Sequence, residues 1–349
     1  MTLPAGHPRE LGTFPGTIAT QLAQALQPRR LNSPLLRWAG RALLLLALLF
    51  PWLGSAFYTR LAIEALLLGS VALSVDILLG YAGLLSLGQA AYFGLAAYTA
   101  ALMYLHVTAS FWLVLVAVCA VVGALALVLG VVAIRAKGVY FALITFGAAE
   151  ILSKIAHNTR AIGGSDGLIG IPIPTVPVVP GIAIDLANNL VFYYFVLGAV
   201  CLVYLASRRI LDTAFGSVLR AIRDNADRVP YLGYNPFWYK LVAYMLAAEI
   251  AAFGGLVYPV LRGFVAPHLF GFEVSTKAVV MSLVGGVGTL IGPLTGSVVI
   301  TYLESVVGSY TERHLLVLGV IFVVFVMFLP DGLYGLLQRV VGLGRNART

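Results

Sequence analysis

Apolar residues follow one another along most of the chain with almost no polar interruption. Ten runs stand out, at 42–58, 61–79, 84–105, 111–134, 138–156, 188–206, 241–261, 274–290, 293–310 and 314–330. Each approaches the roughly 20 residues an α-helix needs to cross about 30 Å of hydrocarbon. The pattern predicts an all-α, polytopic membrane protein with about ten transmembrane helices. The pair at 274–310 admits a second description. GGVGTLIGPLTG interrupts it and fits a re-entrant hairpin as well.

Two long stretches break the pattern. In the inner one, 207–240, Phe215, Val218, Leu219 and Ile222 recur at i, i+3, i+4 and i+7, one face of a helix. Arg220, Arg223, Asp224, Asp227 and Arg228 fall mainly on the other face. The spacing predicts a short amphipathic helix within 213–228. Asp212 or Thr213 can cap its start, and Pro230, Gly233 and Asn235-Pro236 stop it. The outer stretch, 157–187, is rich in Gly and Pro and is expected to be an irregular loop. The organisation is thus an N-terminal segment 1–41, one transmembrane domain 42–335, and a tail 336–349.

Composition fixes the solvent. The 349 residues are 60% hydrophobic and 10% charged, whereas soluble domains are nearer half apolar and a quarter charged. The first forty residues are polar and basic, unlike a cleaved leader. With both termini cytoplasmic, ten spans leave only Arg60, Lys154, Arg160, Arg262, Lys277 and Arg313 of the 22 basic residues outside or at span ends. That agrees with the positive-inside rule. It also explains the net charge of +8 without a nucleic-acid partner. Cys119 and Cys201 lie in apolar runs, suggest no disulfide, and are expected to be small buried groups.

Candidate chemistry is sparse. Of the four lysines none follows a glycine, so the chain holds no phosphate-gripping P-loop and calls for no nucleotide cofactor of its own. A transporter using ATP would need hydrolysis on another chain. Gly163, Gly164, Ser165, Asp166 and Gly167 match the G-x-S-x-G of serine hydrolases, with His157 and Asp185 nearby. That chemistry needs a strand–turn–helix elbow, and a span precedes this stretch. The other reading is a glycine turn capped by Asp166. Gly80, Gly83 and Gly88, with Ser86 and Gln89, fit either tight helix packing or an unwound segment offering hydrogen bonds to a solute. Gly288, Gly292 and Gly296 stand four apart on one expected helical face, with Pro293 as a kink. Glu249 lies nearest the middle of a span, where a charge is costly and often functional. Glu150 and Lys154 are spaced to pair, while Glu64, Asp76, Glu273 and Lys277 sit near span ends. No spacing suggests a metal site.

Five stretches, in order, carry a family resemblance. FGSVLRAIRDNADRVPYLGYNPFWYK resembles the cytoplasmic loop of LivM-type permeases of branched-chain amino-acid ABC importers. GYAGLLSLGQAAYFGLAAYTAAL, RAKGVYFALITFGAAEIL, GGSDGLIGIP and GGVGTLIGP are similar to further stretches of that family. The resemblance spans residues 60–335. It implies a bacterial inner-membrane permease working with a second permease, two ATPase subunits and a periplasmic binding protein. Phe215, Gly216, Leu219, Arg220, Ile222, Arg223, Asp224, Asn225 and Gly233 would couple to an ATPase. Gly83, Ser86, Gly88, Gln89, Glu249, Gly285, Gly286, Gly288 and Gly292 would line or gate the pathway, with Gly288, Gly292 and Gly296 packing on the partner permease. Residues 163–167 would meet the binding protein or form an outer gate. Leu84 and Gln89 depart from the family's usual Gln and His, and LGYNPFWYKL also looks like the urea-permease branch, so the solute stays open. Two rival classes remain: a stand-alone ion-coupled transporter using Glu249, and a membrane hydrolase using Ser165.

Overall fold

A computed structural model describes residues 46–52, 55–179 and 182–310, with short stretches between 316 and 335. Residues 1–41, the tail 336–349 and most of the 314–330 run lie outside the described residues.

Helices form in eight of the ten expected runs; the other two, 42–58 and 314–330, are described only in part. Helix α1 (Ala56–Asp76) continues into a π-helical turn, Ile77–Tyr81. Then come α2 (Gln89–His106), α3 (Phe111–Ala133), α4 (Val139–Asn158) and α5 (Asn189–Leu211). After them follow α6 (Ala214–Asn225), α7 (Pro236–Arg262), α8 (Phe272–Gly285) and α9 (Ile291–Tyr310). Local chemistry sets several boundaries. Asn188, Thr213 and Asn235 each accept a backbone N–H two residues on, capping α5, α6 and α7. Pro236 occupies the first turn of α7, where a missing N–H costs nothing.

Six described helices are long and apolar enough to cross a bilayer: α1 with its π turn, α3, α4, α5, α7 and α9. The most apolar window is 72% buried in α1 and 67% in α7, but only 28% to 33% in the other four. Those two form the centre. Helix α7 packs on α1, α2 and α3, while α1 also meets α5, α8 and α9. Between α2 and α7 the Tyr92 hydroxyl donates to the Tyr244 hydroxyl at 2.8 Å, and Phe141 of α4 meets the Tyr244 ring edge-on. Small residues bring the backbones together: Gly255 of α7 lies against the Phe93 carbonyl of α2. In lipid, such close packing replaces the hydrophobic drive that soluble helices share.

Three expectations change. The outer stretch is not wholly irregular. Strand β1 (Leu168–Ile169) pairs antiparallel with β4 (Phe264–Val265), and β2 (Thr175–Val179) with β3 (Ile182–Asp185). Prolines bar a helix there, so backbone groups pair across short ladders instead. Glu150 and Lys154 do not pair; the ion pairs of Lys277 run to Glu304 at 2.7 Å and Glu273 at 3.9 Å. Cys119 is exposed and Cys201 half-buried, so neither is a core residue, and both are free.

The two ends of the bundle differ. Lys137, after α3, pairs with Asp227, after α6, on a strongly exposed surface, so 135–137 and 207–240 share one end. Glu64 of α1 pairs with Arg262 of α7, and Arg60 donates to Asn189, at the other.

Candidate functional site

Two helices of this bundle are interrupted inside it. After the π turn, residues 83–88 make no helix. Their burial alternates, with Leu84, Ser86 and Gly88 buried and Gly83 and Leu85 exposed, as in an extended strand. The segment enters a backbone left-handed at Gly83, φ 69°. Bare peptide groups are costly away from water, so such a segment needs partners. Side chains supply them. Thr145 of α4 accepts the Leu87 N–H at 3.2 Å, Ser86 the Gly88 N–H at 3.3 Å, and Ser275 of α8 the Ala90 N–H at 3.0 Å. Ser74 of α1 donates to the Gln89 side chain at 3.2 Å. Ser86 and Gln89 are both fully buried.

The second interruption follows α7. Residues Phe264–Val265 form β4, and a 3₁₀ turn, Pro267–Phe270, then wedges between α2 and α4. Ser153 of α4 donates to the Pro267 carbonyl at 3.3 Å. The Phe270 ring lies on Gly94 and against Tyr98, 5.3 Å between centroids. Helix α8 therefore starts within the bundle. Its 14 residues rise about 21 Å, well short of about 30 Å of hydrocarbon. The Ser275–Ala90 bond joins the starts of α8 and α2, so the two interruptions meet.

At the far end of α8 the chain reverses through Gly286 (φ 117°) and Gly288 (φ 78°) into α9. Gly288 is thus not on the expected helical face; it lies against Gly80 of the π turn. Gly292 and Gly296 do face one way, but their backbones meet Gly285 and Met281 of α8 in the same chain, not a partner. Pro293 sits in the first turn of α9, where it need not kink the helix. So 274–310 is a hairpin of one short and one full-length helix.

Helix α6 lies beside the π turn. Gly216, Val218, Leu219 and Ile222 are buried, and Phe215 stacks on Tyr239 at 5.8 Å. Asp224, Asn225, Asp227, Arg228 and Gly233 are exposed. Arg220 sits 5.8 Å from the Tyr81 ring centroid, and the Arg223 guanidinium donates to the Gly80 carbonyl. Arg223 also packs against Gly83. The sequence singled out these arginines for an outward role; both touch the π turn, while Arg223 is also 42% exposed and pairs with Asp224 at 3.3 Å. It missed Tyr231 and Leu232, 90% and 69% exposed in the following 3₁₀ turn. Their signal was two large apolar residues inside a polar loop.

The remaining candidates stand apart. Glu249 of α7 meets Cys119 and lies over Gly123 of α3, away from both interruptions, with Oε2 buried and unbonded. Ser165 lies in a 3₁₀ turn, Gly164–Asp166, and donates to the Asp166 carboxylate at 3.1 Å. That is a glycine turn without the side-chain cap expected from Asp166, and not a strand–turn–helix elbow. Among the described residues no three His, Cys, Asp or Glu side chains gather to hold a metal.

Comparison with known proteins agrees with this geometry. Residues 57–329 match the family model of the branched-chain amino acid transport system permease component. The high-affinity branched-chain amino acid transport permease proteins LivM of Salmonella typhimurium and Escherichia coli K12 are each 27% identical over 311 residues, covering 84% of this chain and 73% of the relative. The autoinducer 2 import system permease protein LsrC of Yersinia pseudotuberculosis is 32% identical over 101 residues, 27% of this chain and 28% of the relative. No solved structure matches. The chain is a multi-pass membrane protein that belongs to the permease component family of branched-chain amino acid transport systems.

Proposed function

We propose that the chain is the membrane subunit of an ATP-driven ABC importer in the bacterial inner membrane, with α6 and both termini on the cytoplasmic side. It carries branched-chain amino acids or a related small solute inward. A second permease completes the pathway, two ATPase subunits hydrolyse ATP, and a periplasmic binding protein delivers solute over 157–187 and 263–273. The interrupted segment 83–88, with Ser86 and Gln89, lies along the route, and α6 moves with the ATPase.

One observation carries this reading. A short helix with a buried apolar face leaves a mixed-charge face and two large apolar side chains, Tyr231 and Leu232, open to solvent. Aromatic anchors beside charges mark protein interfaces. The acids Asp224 and Asp227 disfavour a helix lying on anionic lipid. An ATPase surface fits better.

The test is co-purification. Because Arg220 and Arg223 also hold the π turn, and Asp224 pairs with Arg223 at 3.3 Å, the variant must spare all three: Tyr231→Ala with Leu232→Ala. It is expected to insert normally and to lose the ATPase subunits on affinity purification. Undiminished ATPase in the eluate would refute the docking role.

A further inference from the structure

We propose that Asp76 is a positioning residue of the transport cycle, the strut that ties the π turn, gripped by α6, to the 286–290 turn between α8 and α9. The inference rests on the coupling role of α6 given above.

Asp76 ends α1 and is fully buried, although its place near a span end suggested nearby water. Its carboxylate accepts the N–H groups of Gly288 and of Leu290, the latter at 3.0 Å, and the Ser282 hydroxyl at 3.5 Å. Among the described residues no Lys or Arg forms an ion pair with it. Backbone N–H groups of the turn before α9 bond the carboxylate instead. They come from a turn under constraint. Leu290 adopts φ 60°, a left-handed conformation that leucine seldom takes. A carboxylate with two acceptor atoms can hold two N–H groups of such a turn at once.

The same stretch of chain is gripped from the other side. Four residues on, the Gly80 carbonyl accepts from Arg223 of α6, and Gly80 lies directly against Gly288. Arg223 also touches Gly83, the first residue of the non-helical segment. One line of contacts therefore runs from α6 through Arg223 to the π turn. It forks there: forward along 83–88 to the start of α2, and across Asp76 to the 286–290 turn between α8 and α9. A displaced α6 pulls on the 83–88 segment and on the 286–290 turn together. A π turn suits this place, since its irregular ladder leaves a carbonyl free for Arg223 and can change register.

Asp76→Asn removes the charge and turns one acceptor into a donor, so only one N–H of the turn keeps its partner. Arg223→Met keeps the stem of the side chain and loses the bond to Gly80, whereas Arg223→Lys keeps a donor. The first readout uses the complete transporter in proteoliposomes: leucine taken up per ATP hydrolysed. Asp76→Asn and Arg223→Met are expected to lower that ratio about tenfold or more, and Arg223→Lys to recover most of it. An unchanged ratio in both lowering variants would overturn the proposal.

The second readout needs no ATPase and so separates this proposal from the reading beneath it. In purified permease with Cys119 and Cys201 replaced by Ser, a cysteine is placed at Leu85, which is 38% exposed. Maleimide labelling there is expected to quicken several-fold in Arg223→Met and Asp76→Asn but not in Arg223→Lys. Equal rates in all overturn the strut even if the complete transporter works. Quickened labelling with no ATPase bound to the unmutated chain leaves the strut standing and removes the coupling role. If Asp76→Asn fails to insert, the Met and Lys variants at Arg223 decide alone.

Discussion

Gly94→Ala adds one methyl at the point where the second interruption enters the bundle. The new Cβ would lie 2.8 Å from Cγ and Cδ1 of Phe270, where ordinary contacts span 3.4–4 Å. The ring has little room to retreat, being 3% exposed with Tyr98 stacked beside it. Overpacking of this kind costs about 1–3 kcal/mol, a change of roughly 5- to 150-fold in the folding equilibrium. Phe270→Ala alone is expected to cost about 3–5 kcal/mol by leaving a cavity. In that background the methyl of Gly94→Ala has space, so its cost should vanish and the two changes should couple by about 1–3 kcal/mol. Reversible unfolding in mixed micelles, followed for wild type, both single variants and the double, measures that coupling. Costs that simply add, within about 0.5 kcal/mol, would mean that Phe270 does not sit on Gly94. The wedge of residues 267–270 between α2 and α4 would then be wrong.

Three further outcomes follow from other contacts. Tyr244→Phe strands the Tyr92 hydroxyl in the core and should cost about 1–2 kcal/mol; Tyr92→Phe with Tyr244→Phe should unfold closer to wild type than either single change. Gly296→Val drives a branched side chain into the Met281 carbonyl, a backbone atom of α8, and should separate α8 from α9 by about 3 kcal/mol or more, seen as new protease sensitivity in 286–290. Glu249→Gln removes a carboxylate with an unbonded oxygen, remote from both interruptions, and uptake should persist at half of wild type or better; abolished uptake would favour ion coupling through Glu249.

What the sequence revealed follows from the range of the forces involved. Helix α6 was legible because its spacing and its Thr213 cap are local; it ends at Asn225, ahead of the Pro230 and Gly233 expected to stop it. The interruption at 83–88 was legible only as one of two readings of its glycines, since its apolar and small residues also fit one run from 84 to 105. What holds it open comes from Thr145 and Ser275, far along the chain. Asp76 looked like a residue near water because its partners, Gly288 and Leu290, stand more than 200 positions away. Gly288 looked helical because a spacing of four cannot reveal a backbone with φ 78°. The break at 274–310 was legible in GGVGTLIGPLTG; that it joins one short and one full-length helix, packed through Gly292 and Gly296, was not.

The most direct measurement is uptake of labelled leucine into proteoliposomes, with isoleucine, valine and urea as competitors. The full set of permeases, ATPases and binding protein is compared with this chain alone. ATP-dependent uptake by the full set, none by the chain alone, and suppression by the Tyr231→Ala, Leu232→Ala variant are expected. Uptake by the chain alone, driven by an ion gradient and indifferent to ATP, would contradict it.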